Sequence, residues 1–113
     1  MKSLLILGAG GFGHMIQETA FLLGYEDVVF LDDAVKDKDV VGKCCDYKSF
    51  LEKYDTAVAA LGDNNMRLYW TEKLMEAGYH VPAIIHPSAV SSQSAVIGNG
   101  TFVMQNAVVN THT

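Results

Sequence analysis

The sequence predicts an α/β fold: a Rossmann-like parallel sheet with flanking helices over residues 1–84, followed at 85–113 by the incomplete start of a hexapeptide-repeat β-helix. Three observations carry this. Short apolar runs alternate with amphipathic stretches from Lys2 to Ile85. A glycine-rich turn, Gly8-Ala9-Gly10-Gly11-Phe12-Gly13, follows the first apolar run directly. After Ile84 the hydrophobic period changes to six.

Lys2 to Leu7 is an apolar run of strand length. From Gly13 to Leu23, the residues Met15, Ile16, Thr19, Ala20, Leu22 and Leu23 fall on one stripe of a 3.6-residue helix, which Gly24 ends. Asp27 to Leu31 reads as a second buried strand. Asp46 is placed to cap a short helix through Phe50, Leu51 and Tyr54. Thr56 to Leu61 predicts a third strand, and Asn64 or Asn65 opens a helix through Leu68, Leu74 and Met75 that stops at Gly78. His80 to Ile85 predicts a fourth strand. Strands alternating with helices of this length imply βαβ units with right-handed crossovers. About 85 residues match a mononucleotide-binding half, not a complete dinucleotide fold.

Beyond that point Ile84, Val90, Val96, Phe102 and Val108 stand six residues apart. Ile85, Ser91, Ile97, Val103 and Val109 follow them, and Ala89, Ala95, Thr101, Ala107 and Thr113 form a third column of small residues. Neither an α-helix nor a flat strand repeats at six. Inward aliphatics alternating with tight, small corners predict the faces of a triangular coil. Three hexads complete a coil, so this segment supplies fewer than two. Because the pattern still runs at Thr113 without a polar cap, the chain is expected to be the front part of something longer.

Composition narrows the function. Eight basic against thirteen acidic residues give a formal charge of −5, which argues against a nucleic-acid surface but leaves room for an anion site made of backbone amides. No apolar run reaches the ~18 residues that span a bilayer. The N-terminal run is too short for the core of an export signal. Adjacent Cys44 and Cys45 give neither a disulfide framework nor a metal-binding spacing, so a reduced, cytoplasmic protein is expected.

The candidate chemistry gathers at the C-terminal ends of the predicted strands. Gly8, Gly10 and Gly13 satisfy G-x-G-x-x-G between a strand and a helix, the context in which a helix N-terminus receives a diphosphate. Gly11 and Phe12 complete the loop. Asp32 and Asp33 end the second strand, where a carboxylate accepts hydrogen bonds from ribose or a base, or stands as a solvated turn residue. Gly62, Asp63 and Asn64 with Arg67 follow the third strand. Asn64 either contacts a ligand or caps the next helix, and Arg67 either pairs with phosphate or faces solvent. His14 faces ligand or solvent; His80, His86 and His112 are too scattered to read as a metal site. Tyr69, Trp70, Met66 and Met75 read as packing residues.

Taken together, GAGGFG, Phe30-Leu31-Asp32-Asp33, Gly62-Asp63-Asn64 with Arg67, and Ile85-His86-Pro87-Ser88-Ala89 opening the hexads resemble the sugar acyltransferase family. That family includes N-acetyltransferases of the bacillosamine pathway, perosamine N-acetyltransferases and sialic-acid O-acetyltransferases. The resemblance implies that the N-terminal domain binds a nucleotide sugar, UDP-linked by expectation. It also implies a left-handed β-helix that forms a homotrimer and holds acetyl-CoA between subunits. Its nucleotide-sugar contacts fall on Gly8, Gly10, Gly11, Phe12, Gly13, Asp32, Asp33, Gly62, Asp63, Asn64 and Arg67. Some members carry histidine where this chain has Phe12, which leaves the sugar open. The family's catalytic histidine lies in a later coil, so no catalytic residue and no acetyl-CoA site are expected here, and His112 is not given that role. The chain alone is expected to be inactive. Two rival readings stand beside it: a non-catalytic NAD-binding module, and a small scaffold whose hexads pair with another chain.

Overall fold

A computed structural model describes residues 2–87, 102–104 and 107–109. The first strand, β1 (Ser3–Leu7), runs through the middle of a four-stranded parallel sheet. Leu4, Leu5, Ile6 and Leu7 have no exposed surface, which explains an uninterrupted apolar run: a central parallel strand is covered on both faces. Helix α1 (Gly11–Leu22) leads to β2 (Asp27–Leu31), which pairs in register with β1. Next comes β3 (Val40–Gly42) at the edge, then a 3₁₀ helix (Cys44–Phe50), and then β4 (Ala57–Ala59) on the other side of β1. Helix α2 (Asn64–Ala77) packs back on β4 and ends at Gly78, whose φ of 105° makes the left-handed turn. The spatial order β3-β2-β1-β4 reverses direction at β1, between its two neighbours.

Several expectations need correction. β3 is absent from the predicted elements, because Val40-Val41-Gly42 is too short to carry a period and is strand only through its pairing with Phe30 and Leu31. Helix α1 begins at Gly11, not Gly13, and its buried face is Gly13, Ile16, Gln17, Thr19 and Ala20. Met15 and Leu22, placed on the core stripe by periodicity, are exposed. Asp46 does not start the short helix: it lies inside the 3₁₀ helix, and its carboxylate accepts the Lys43 N–H at 3.0 Å.

The predicted fourth strand joins the central sheet only at one bridge, Thr56 with His80. Pro82 follows, lacks an N–H and cannot extend the ladder. The chain leaves to form β5 (Ile84–Ile85) in a second, three-stranded sheet with β6 (Phe102–Met104) and β7 (Ala107–Val109). Here β5 and β6 are parallel, with Ile84 opposite Phe102 and Ile85 opposite Val103, an offset of three six-residue units. β7 then departs from the hexad pattern. It folds back antiparallel on β6, pairing Val108 with Val103, and so forms the edge of this sheet opposite β5. The hexads within residues 88–101, together with His112 and Thr113, lie outside the described residues.

Candidate functional site

The glycine loop leaves β1 and is stitched to both neighbouring strands. Gly8 N–H donates to the Leu31 carbonyl at 2.8 Å, and Ala60 N–H donates to the Leu7 carbonyl at 2.8 Å. Gly8 has φ of 105°, and a Cβ there would stand 2.7 Å from the Ala60 carbonyl oxygen. A Cβ on Gly13 would meet the Gly8 carbonyl oxygen at 2.0 Å. These two glycines are required by the protein itself.

Gly10, Gly11 and Gly62 are different. Their backbones are not left-handed, and a Cβ on any of them would meet no atom within 4 Å. Neither conformation nor packing demands glycine at these three positions. Gly10 and Gly11 follow the end of β1 and Gly62 follows β4, the strand ends between which the order reverses and where open α/β sheets take their ligands in a crevice. Helix α1 starts on that crevice with Gly10 as its cap, without a capping side chain and without an acid in its first turn. Its first N–H groups and positive dipole end are therefore set out for an anion.

Asp32 closes the other flank. Its Oδ2 accepts the Ala9 N–H at 2.8 Å, while Oδ1 accepts those of Ala34 and Val35, both at 2.8 Å. Burial works against the ionised form, yet these backbone donors outweigh it and hold the carboxyl below its ordinary 3.8. Asp32 thus fastens the glycine loop to the end of β2. Asp33 is exposed, and one of its oxygens accepts the Cys44 N–H at 3.0 Å.

The turn after β4 is reorganised relative to the sequence reading. Asp63, not Asn64, caps α2: its carboxylate accepts the Met66 N–H at 3.0 Å. Arg67 does not face solvent. It is 2% exposed and donates to the Leu61 carbonyl at 3.0 Å and to the Asn64 side-chain oxygen. Burial draws its pKa down from the usual 12.5, and Asp63 counters part of that. In this arrangement Arg67 holds the Leu61–Asn64 turn beside the glycine loop.

Phe12, half-buried, meets Phe102 edge-on, with ring centroids 5.3 Å apart and planes at 87°. Sequence reasoning could not find that contact, which joins residues ninety positions apart. It also missed Asp37, whose Oδ2 lies 2.9 Å from His14 Nε2. Among the described residues no three His, Cys, Asp or Glu side chains converge on a metal position, and no helix is long and apolar enough to cross a membrane. A cavity of about 510 Å³ lies elsewhere, between the 3₁₀ helix and α2, lined by Tyr47, Lys48, Leu51, Lys73, Glu76 and Ala77. It is shallow and holds none of the glycine-loop groups, so the crevice above β1 is the better candidate.

Residues 3–74 match the PglD N-terminal domain. The chain belongs to this family. Solved structures similar to this PglD-type chain include the acetyltransferase domain of PglB from Neisseria gonorrhoeae FA1090 in complex with acetyl coenzyme A. That match is 38% identical with a TM-score of 0.82, and covers 91% of this chain and 53% of that one. PerB from Caulobacter crescentus, in complex with CoA and GDP-perosamine, is 31% identical with a TM-score of 0.80, covering 92% and 52%. A variant of perosamine N-acetyltransferase from the same organism, also with CoA and GDP-perosamine, is 29% identical with a TM-score of 0.84, covering 92% and 52%. The chain spans about half the length of the solved acetyltransferases it matches.

Proposed function

We propose that this PglD-type chain is the nucleotide-sugar-binding part of an acetyl-CoA-dependent sugar N- or O-acetyltransferase. The observation that carries the reading is the set of three glycines, Gly10, Gly11 and Gly62, which leave open space around an uncapped helix N-terminus. Backbone N–H groups there receive the diphosphate, and the absent side chains let it approach. Asp32 fixes the loop in that shape, buried Arg67 holds the Leu61–Asn64 turn, and Asp33, Asp63 and Asn64 stand at the same strand ends to meet the nucleotide. The relatives complexed with CoA and GDP-perosamine support a sugar-nucleotide ligand and an acetyl donor.

In this reading the hexads from residue 85 begin a left-handed β-helix; the parallel, three-hexad offset between Ile84 and Phe102 supports it, whereas the antiparallel return of β7 departs from it. Acetyl-CoA and the catalytic base belong to further coils of the whole protein, which assembles as a cytoplasmic homotrimer. There a base removes the proton from the acceptor amine or hydroxyl as that atom attacks the thioester carbonyl, and the thiol of CoA leaves. This chain alone binds without catalysing. The UDP-linked ligand is the preferred one, with a GDP-linked sugar as the competitor to test.

Calorimetric titration of the chain with UDP-N-acetylglucosamine, GDP-mannose and NADH tests the proposal. Binding of a sugar nucleotide is expected, weakened about tenfold by Gly11→Ala, a change of ~1.4 kcal/mol. Preference for NADH would turn the reading toward a dinucleotide module.

A further inference from the structure

The loop between β2 and β3, residues 32–39, is held to the glycine loop and α1 at three points. Its root is the Asp32 bond to Ala9 N–H. Its far end is tied by Gln17, 8% exposed, whose amide donates to Asp39 Oδ2 and to the Val28 carbonyl, each at 3.1 Å. Between them, His14 reaches Asp37. The imidazole has Nε2 2.9 Å from Asp37 Oδ2 and Nδ1 3.0 Å from the Gly10 carbonyl oxygen. Both neighbours are acceptors, so both ring nitrogens must donate, and only the imidazolium has two N–H groups. The neutral ring keeps one bond and loses the other.

We propose that His14 is a positioning residue: as an imidazolium it clasps the Asp32–Asp39 loop to the N-terminus of α1, and losing its proton releases that loop. This rests on the nucleotide-sugar reading for its consequence, since the clasped loop begins at Asp32, which bonds the glycine loop at Ala9, and carries Asp33 next to it in sequence. Among the described residues the groups facing His14 are these. From the loop comes Asp37, flanked in sequence by Lys36 and Lys38. From the glycine loop comes the Gly10 carbonyl, and from β2 the Phe30 ring, with centroids 4.8 Å apart. On α1 itself, Glu18 stands one turn on, and the positive helix end opposes the charged ring. The Gly10 carbonyl and then Asp37 outweigh desolvation, so the His14 pKa is raised above 6.5, while the His14 bond lowers that of Asp37 below 3.8.

The sign follows for both partners. A raised histidine stabilises below 6.5 and loses its contribution as pH rises through the folded value; a lowered aspartate stabilises above 3.8 and loses its contribution as pH falls through its own. The clasp is complete between those limits and opens on the alkaline side through His14.

The test is an NMR titration of the histidine rings in the full chain from about pH 5.5 to about 8.5, with His14 assigned by His14→Gln, alongside amide exchange of residues 34–39. His14 is expected to titrate above 6.5, and the loop amides should exchange faster, beyond the intrinsic pH effect, as it deprotonates. Asp37→Asn, a change at an exposed side chain, should lower the titration and give fast exchange at acidic pH. Affinity for UDP-N-acetylglucosamine, whose diphosphate does not titrate in this range, should fall on the order of fivefold across it and become flat in Asp37→Asn. A His14 titration at or below 6.5, or loop exchange indifferent to Asp37→Asn, overturns the clasp. Expected titration and exchange without binding of either UDP-N-acetylglucosamine or GDP-mannose would uphold the clasp and overturn the nucleotide-sugar reading instead.

Discussion

Gly11 and Gly13 stand two residues apart in the first turn of α1 and are glycine for opposite reasons. Substituting Gly13 forces a Cβ to within 2.0 Å of the Gly8 carbonyl oxygen, so helix and strand must separate. Gly13→Ala is expected to cost about 3 kcal/mol, read as a lowered denaturation midpoint at unchanged slope. Gly11→Ala adds its methyl to open space at the first position of a helix, where alanine is favoured over glycine by up to ~1 kcal/mol. Its stability should hold or rise while sugar-nucleotide affinity falls. A variant that lost both would show that Gly11 serves the fold and not a ligand. The G-x-G-x-x-G spacing was legible in the sequence, but this division of labour was not. It depends on which atoms of β1, β4 and α1 face each Cα.

Helix α2 shows how an element takes its limits from neighbours within one turn. Asp63 supplies the cap at its start, and Gly78, in the left-handed conformation, ends it. Asp63→Ala should therefore cost about 1 kcal/mol in thermal denaturation, with amide exchange rising first around Met66. Gly78 is legible in the sequence, because a glycine at a helix end acts through its own backbone. The cap is not, because Asp63 and Asn64 both suit the position and only the backbone decides between them. Helix α1 makes the same point through packing. A 3.6-residue period admits Met15, Ile16, Leu22 and Leu23 on one stripe, yet contact with the sheet selects Ile16, Ala20 and Gly13, and leaves Met15 and Leu22 in solvent.

At the scale of the whole molecule the Phe12–Phe102 contact bridges the two sheets alongside the packing of β5 on α1, and connects the glycine loop to the hexad segment. Phe102 has no exposed surface. Phe102→Ala should cost about 3–5 kcal/mol if the molecule unfolds as one unit. Calorimetry would then show a single lowered transition. A first sheet that melts unchanged would mean the two sheets are independent, and the contact energetically idle. The same contact gives Phe12, half-buried in the first turn of α1, a packing partner ninety residues along the chain that its place in the motif does not reveal.

The sequence by itself determined the parallel α/β core, the glycine turn between β1 and α1, and the change to a six-residue period. Each of these is written in local spacing, and burial on both faces of β1 enforces it. The tertiary structure alone decided that Val40–Gly42 is a strand, that Ile84 lies beside Phe102, and that β7 turns back on β6. It also decided that Arg67 is buried and that His14 meets Asp37. Those outcomes depend on pairing and desolvation between residues distant in the chain or on how a turn folds. No short-range pattern encodes which acceptor a buried guanidinium or an imidazole will find.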